Sequence, residues 1–179
     1  FGFTSYDAVQ HFDDIRFSNK DKDLSLPQLY YALFQNVIAI NVFNNEAHIY
    51  AHCYQTNSNL DEVVEALQSP NPVTHSFSRK GDPFSNLTDD EFVDLVKKGI
   101  HHCYRGDVFQ IVLSRRFSQP FTGDDFTLYR VLRSVNPSPY LFYFDFGEYQ
   151  IFGSSPEAQL VVKDGKAEFF KENGKNKAT

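Results

Sequence analysis

The sequence has no methionine, no tryptophan and only two cysteines in 179 residues. Because position 1 is Phe rather than Met, we expect the chain to start inside a longer gene product or to have lost its beginning by processing. The two cysteines, Cys53 and Cys103, show neither the close spacing of zinc ligands nor the number needed for a disulfide framework. We interpret them as free thiols in a reducing cytoplasm.

Long apolar runs and long basic runs are also absent. No stretch reaches the roughly 18 apolar residues of a membrane-spanning helix, and no signal peptide is visible. The net charge of −6 argues against nucleic acid as the main partner. A composition of 41% hydrophobic and 22% charged residues is typical of a soluble globular protein. We therefore expect a cytoplasmic protein that binds neither nucleic acid nor a membrane.

Aromatic residues are abundant, with 19 Phe and 10 Tyr, and could build a large aromatic core. Residues 2–15 begin with glycine and aromatic residues and then carry Ala8, Val9, Phe12 and Ile15 at helical spacing. Residues 29–43 and 47–54 predict two strands that meet in a hairpin turn over residues 44–46. Helices and antiparallel hairpins alternate in this way along the chain, which predicts an α+β fold with mixed or antiparallel sheets and flanking helices.

Local signals divide the remainder of the chain. A short helix follows a cap at Ser58 or Asn59, and Thr88 with Glu91 forms the capping-box pattern of a helix that should end at Gly106. A second helix is predicted over 124–135, a strand after 136–140, a turn at 147–148, and a last hairpin turning at 164–165. The predicted organisation is an N-terminal α+β segment (1–68), a linker (69–87), a second domain (88–170) and a polar tail or a segment after a gap (171–179).

The stretch GDVFQIVLSRRF (106–117) predicts a buried strand that contains a glutamine, Gln110. A buried amide costs free energy unless its donors and acceptor find partners, so this residue requires an explanation. Two other features have alternative interpretations. Glu157 follows a strand at a proline-fixed turn, where a carboxylate is either a surface residue or a catalyst. The two prolines of NPSPY (136–140) make either a rigid connector or a ligand-contacting loop.

Several long stretches, in order, resemble the chorismate-utilising enzymes, and within that family the anthranilate synthases. They are GFTSYDAVQHFDDI, YRGDVFQIVLSRRF, LYRVLRSVNPSPYLFYFDF and FGSSPEAQLVVKDGKAEFF. The resemblance implies part of a large two-sheet α/β sandwich with the substrate in a deep cleft. It also implies that chorismate and ammonia are converted to anthranilate and pyruvate in tryptophan biosynthesis.

The same resemblance assigns roles to particular residues. Relatives that add water to chorismate carry a lysine base at the position of Gln110; an amide cannot titrate, which fits ammonia as the nucleophile. Glu157 would be the general acid that protonates the departing C4 hydroxyl. Pro139, Tyr140 and Leu141 would line the site of tryptophan, the feedback inhibitor, although the family usually has methionine where Leu141 stands.

The resemblance further implies Mg²⁺ as cofactor and a glutamine amidotransferase subunit as the ammonia source. The family's magnesium-binding glutamates have no counterpart in this sequence, so we expect the 179-residue chain alone to lack synthase activity. Two alternatives remain open. One is the folate-pathway aminodeoxychorismate synthase component I, and the other is a non-catalytic relative that senses tryptophan.

Overall fold

The computed structural model describes residues 1–17, 26–53, 59–69, 76–158, 160–171 and 174–177. The chain forms two compact units, Phe1–Val73 and Thr74–Thr179. Both contain helices and small antiparallel sheets, which confirms the predicted α+β class. No helix in the described part of the chain is both long and apolar enough to cross a bilayer.

Among its described residues, the first unit contains two small antiparallel sheets and two short helices. Its elements are β1 (Gly2–Thr4), a 3-10 helix (Tyr6–His11), β2 (Leu29–Tyr31), β3 (Asn36–Asn41), β4 (Glu46–Ala51) and α1 (Leu60–Gln68). β1 pairs with β2, and β3 pairs with β4 through a turn in which Asn45 has a φ of 57°. The hairpin is therefore confirmed, but the run predicted as one strand over 29–43 is divided between β2 and β3.

The helix α1 begins after Asn59, one of the two predicted caps; the other, Ser58, lies outside the described residues. The side chain of Asn59 makes no capping bond, because its Oδ1 accepts a hydrogen bond from Nδ2 of Asn36 at 2.6 Å. This contact connects the start of α1 to the start of β3. The side chain of Asn59 thus joins two elements and does not bond to the free backbone N–H groups of the first helical turn.

The second unit carries the remaining elements. They are β5 (Phe77–Arg79), β6 (Phe84–Ser85), α2 (Asp89–Arg105), β7 (Phe117–Ser118), β8 (Phe121–Gly123), α3 (Asp125–Val135), β9 (Tyr140–Asp145), β10 (Gln150–Ser155), β11 (Leu160–Lys163), β12 (Lys166–Lys171) and β13 (Gly174–Lys177). The strand pairs are β5 with β8, β6 with β7, β9 with β10, and β12 with both β11 and β13.

Helix α2 begins and ends where its caps predict. The Glu91 backbone N–H donates to Oγ1 of Thr88 at 3.3 Å, and the Thr88 backbone N–H donates to Oε2 of Glu91 at 2.8 Å. The backbone N–H of Thr88, and then its hydroxyl, which donates to the same Oε2 at 3.0 Å, lower the pKa of the Glu91 carboxyl below its ordinary value of 4.5. At the other end Gly106 has a φ of 79°, a left-handed conformation that glycine adopts without steric cost.

Residues 107–116, all of which the structure describes, contain no strand, so the predicted buried strand is wrong. The segment lies beside α2, where the side chains of Ile111 and Leu113 cover Gly99. Phe109 and Val112 face solvent, the latter with 83% of its surface exposed. A strand needs a neighbour for its ladder hydrogen bonds, and along this chain the neighbour β6 meets the segment only at β7.

Part of the predicted linker (69–87) is also strand. Residues 70–75 lie outside the described residues, but β5 and β6 pair with β8 and β7 of the second unit. Their partners lie far away in the sequence, so no local pattern indicated them. Part of the predicted polar tail likewise forms β13, which pairs with β12.

The hairpin β9–β10 packs on α3 through a cluster of four aromatic rings, those of Phe126, Tyr129, Tyr143 and Phe152. Burial, and then the hydrogen bond to Asp125 and nearby carboxylate charges, raise the pKa of Tyr143 to about 12. Because successive strand residues alternate between faces, Tyr140 and Phe142 lie on the face away from α3. That outer face is partly exposed, since Phe142 keeps 38% of its surface in contact with water.

Candidate functional site

The β9–β10 hairpin brings two of the predicted functional segments side by side. In its register Tyr140 is opposite Ser155 and Leu141 is opposite Ser154. Residues 136–141, here called the proline loop, therefore end next to the strand end that leads to Glu157. The two segments are separated in sequence by a whole hairpin, and only strand pairing brings them together.

Ser154 holds both ends of the proline loop. Its backbone is opposite Leu141 in the hairpin, and its Oγ donates to the carbonyl oxygen of Asn136 at 2.7 Å. Asn136 in turn ends α3, where its backbone N–H donates to the carbonyl of Leu132 at 2.8 Å. The sequence interpretation did not include Ser154. The sequence pattern that could have indicated Ser154 is a small polar residue two positions after Phe152, on the strand face that packs on α3.

The three predicted inhibitor contacts occupy the end of the proline loop and the start of β9. Tyr140 is 46% exposed, and the hydroxyl of Ser138 donates to its carbonyl oxygen at 3.3 Å. Leu141 is half-buried and points to the α3 side of the hairpin, opposite to Tyr140. A ligand on the outer face would therefore contact Tyr140 directly and meet Leu141 only at the edge of the hairpin.

Glu157 lies in the turn that follows β10, where its side chain is exposed. The hydroxyl of Ser155 donates to the carbonyl oxygen of Glu157 at 3.2 Å, and Pro156 fixes the backbone between them. Residues 155–157 are here called the Glu157 turn. The arrangement presents a carboxyl group at the end of a strand, in a backbone conformation held by a side-chain hydrogen bond and a proline ring.

Gln110 is exposed and lies beside α2, a different part of the second unit from the β9–β10 hairpin. It borders an open groove of about 810 Å³ along α2, whose other lining side chains are mainly apolar, among them Phe92, Val96, Ile100, Ile111 and Leu113. The expectation of a buried amide is therefore wrong in this chain. An apolar groove with a single amide at its rim leaves Gln110 accessible to a small molecule.

His102, near the end of α2, pairs with a carboxylate. Nδ1 of His102 lies 2.8 Å from Oδ2 of Asp107, and Nε of Arg105 lies 3.5 Å from the same oxygen. Among the residues that the structure describes, no group of three His, Cys, Asp or Glu side chains could hold a metal ion. Mg²⁺ takes carboxylate oxygens as protein ligands. The described residues therefore do not fit the Mg²⁺ that the resemblance implies.

The sequence matches a known enzyme family over most of its length. Residues 1–170 match the family described as chorismate binding enzyme. The chain is 30% identical to anthranilate synthase component 1 of Aquifex aeolicus, covering 93% of this chain and 36% of that protein. It is 32% identical to the Thermus thermophilus protein of the same name, covering 92% and 36%, respectively.

A solved structure agrees with these matches. The crystal structure of anthranilate synthase component I from Streptococcus pneumoniae superposes with a TM-score of 0.74 at 30% identity, over 94% of this chain and 40% of that one. This likeness confirms the predicted fold. The chain thus spans between about a third and two fifths of the length of these relatives.

Proposed function

Because the chain belongs to the chorismate-binding enzyme family, we propose that it forms part of an enzyme that converts chorismate and ammonia to anthranilate and pyruvate. One observation carries this proposal. The β9–β10 register places the proline loop beside the Glu157 turn, in a chain whose matched relatives are anthranilate synthases. A feedback-regulated synthase needs a site for its end product and a catalytic acid, and this one hairpin carries the segments proposed for both.

Glu157 is the proposed general acid. It protonates the C4 hydroxyl of chorismate, which leaves as water while the nucleophile adds at C2. A general acid must reach the leaving oxygen within hydrogen-bond distance. The exposed side chain at a strand end supports this role, because the carboxyl group is accessible to a substrate.

Gln110 is the proposed marker of amination. Ammonia is basic enough to attack without a protein base, whereas water is a weak nucleophile that a base must activate. The amide of Gln110 cannot accept that proton near neutral pH, so it can only donate or accept hydrogen bonds. Its place at the rim of an open groove supports a role in orienting a small molecule.

The proposed function also includes feedback inhibition by tryptophan, a source of ammonia and a metal cofactor. Tryptophan inhibits by binding at Pro139, Tyr140 and Leu141, with its indole against the exposed ring of Tyr140. Ammonia comes from a glutamine amidotransferase subunit. Mg²⁺ is the cofactor and is held by residues that this chain does not include, so the 179-residue chain alone is inactive.

The test uses the full-length gene product with chorismate, Mg²⁺ and ammonium, following anthranilate fluorescence with and without tryptophan. We expect a fluorescent product whose formation tryptophan suppresses, and no product from the 179-residue chain alone. A product that a lyase converts to 4-aminobenzoate would move the protein to the folate pathway. Tryptophan binding without consumption of chorismate would identify a sensor in place of an enzyme.

A further inference from the structure

We propose that Ser154 is a positioning residue that couples the proline loop to the Glu157 turn, so that tryptophan binding is transmitted to the general acid. This inference rests on the proposed function, because it assigns a route to the regulation proposed there. Its structural basis is that Ser154 contacts both ends of the proline loop and directly precedes the Glu157 turn in the chain.

The first step is the closure of the proline loop by Ser154. The loop leaves α3 at Asn136 and enters β9 at Leu141, and Ser154 meets both residues. Its hydroxyl donates to the Asn136 carbonyl at 2.7 Å, while its backbone is opposite Leu141. A displacement at either end of the loop therefore acts on the same residue.

The second step is the stiffness of the loop. Pro137 and Pro139 fix two of its φ angles, and the backbone N–H of Asn136 is bonded to α3. The hairpin itself is held on α3 by the aromatic cluster and by the hydrogen bond from Tyr143 to Asp125. A stiff loop on a fixed frame cannot absorb a shift of Tyr140 by local bending, so the shift passes to the residues bonded to the loop.

The third step is the short connection from Ser154 to the carboxyl group. Ser155 follows directly, is opposite Tyr140, and donates from its hydroxyl to the carbonyl of Glu157 at 3.2 Å. Pro156 removes one more degree of freedom. The path from the ring of Tyr140 to Glu157 thus runs through a strand pair, a hydroxyl bond and a proline, all of fixed geometry.

Coupling along this route predicts how tryptophan and chorismate affect each other's binding. If tryptophan and chorismate each favour a different arrangement of the Glu157 turn, each ligand weakens the binding of the other by the same factor. The Ser154–Asn136 hydrogen bond contributes part of this factor. A single hydrogen bond of ordinary net strength corresponds to about a three- to tenfold change in an equilibrium constant.

The experiment measures tryptophan binding to the full-length gene product by calorimetry, with and without chorismate, and with ammonia and glutamine left out so that amination cannot occur. The ratio of the two dissociation constants is the coupling factor. Ser154→Ala should lower the coupling factor about three- to tenfold. Ser154→Thr keeps the hydroxyl on a residue that strands favour, so it should retain the coupling factor.

Two further variants make the result decisive. Ser134→Ala is the matched control, because its hydroxyl also donates to a backbone carbonyl, that of Arg130, but within α3. If Ser154→Ala does not fold, Ser154→Val replaces it, since it differs from Ser154→Thr only by a methyl in place of the hydroxyl. A coupling factor that is the same in Ser154→Val and Ser154→Thr, or in Ser154→Ala and Ser134→Ala, overturns the inference.

Failure of the proposed function gives a different result. If the unsubstituted protein binds no tryptophan or shows no antagonism with chorismate, both the regulation and the coupling are refuted before any variant is made. If the unsubstituted protein shows the antagonism and Ser154→Ala keeps it in full, only the role of Ser154 is refuted.

Discussion

The ring of Phe142 lies over Gly153, its cross-strand neighbour in the β9–β10 hairpin. A Cβ at Gly153 would lie 2.7 Å from Cζ and 3.0 Å from Cε1 of that ring, closer than carbon atoms pack. The ring of Phe142 must therefore move if Gly153 of the FGSSPE stretch is to carry a side chain.

Gly153→Ala should lower the free energy of unfolding by about 1–3 kcal/mol, because Phe142 must leave its place. The cost should fall at the low end of this range, since the ring is partly exposed and can swing outward. Urea unfolding measures the change. In a Phe142→Leu background the same substitution should cost less, and strictly additive effects of the two substitutions would contradict the steric explanation.

Thr88→Ala should destabilise the protein by about 1 kcal/mol, because it removes the capping bond at the start of α2. Thermal melting at neutral pH measures this change. Thr88→Ser retains a hydroxyl and is the matched variant; an equal loss in both would show that the capping bond contributes nothing.

Glu91 gives this cap a dependence on pH. Its pKa is lowered in the folded protein, so the unfolded chain takes up the proton first as the pH falls below 4.5. Its contribution is present above that pH and is lost as the pH falls through the lowered pKa. Glu91→Gln should flatten the acid limb of the stability profile. Glu148→Gln, which removes a charge from an exposed turn, should flatten it less.

Arg115 connects the start of α2 to the strand that precedes it. Its Nη1 donates to Asp89 at 2.6 Å and its Nε to Ser85 at 2.8 Å, while only 15% of its side chain is exposed. Arg115→Ala should cost about 1 kcal/mol in urea unfolding, mainly through the hydrogen bond to Ser85, because the Asp89 side chain is 90% exposed and water screens the ion pair. The exposed Arg133→Ala is the control, and a similar loss there would point to net charge as the cause.

Tyr143→Phe should cost about 1 kcal/mol at neutral pH, because it removes the hydrogen bond to Asp125 but keeps the ring. The raised pKa of Tyr143 also makes the folding stability depend on pH in the alkaline range. The unfolded chain loses the proton near pH 10 and the folded one near pH 12, so stability falls as the pH rises between these values. The variant should lack this fall. Tyr104→Phe, at an exposed ring, should keep it.

Glu157→Gln in the full-length gene product should lower kcat for anthranilate formation by about 10²–10⁴-fold, the usual contribution of a general acid. KM for chorismate should change little, since the amide keeps the size of the side chain. Steady-state kinetics with ammonium measures both constants. Glu148→Gln, in the turn of the same hairpin, is the control. An unchanged kcat in Glu157→Gln would remove this residue from the mechanism.

Local signals predicted what local contacts determine. The capping box at Thr88, the left-handed Gly106 and the turn at Asp164 and Gly165, with φ values of 52° and 72°, are set by residues near in sequence. The segment around Gln110 was predicted as a buried strand because its apolar residues fit one. A strand also needs a neighbour with free hydrogen-bonding groups, and sequence periodicity carries no information about that neighbour.

In the candidate site, too, the sequence indicated some residues and gave no sign of others. Glu157 and the proline loop could be identified from the sequence because they occur in long stretches with the order of a known family. Ser154 could not, since its contact with Asn136 depends on the register of β9 and β10 and on where α3 ends. Pairing register is a property of two strands, and no single stretch specifies it.

Large apolar side chains such as Leu33, Phe43 and Phe109 already contact water in the folded chain, while in the described part of the chain Ala8 and Gly99 are the residues with full burial. The heat capacity change of unfolding arises mainly from apolar surface that becomes newly hydrated. Less apolar surface becomes newly hydrated here than in a domain with a fully buried core. We therefore expect a smaller heat capacity change and a shallower denaturant slope than for a domain of the same length with a buried core.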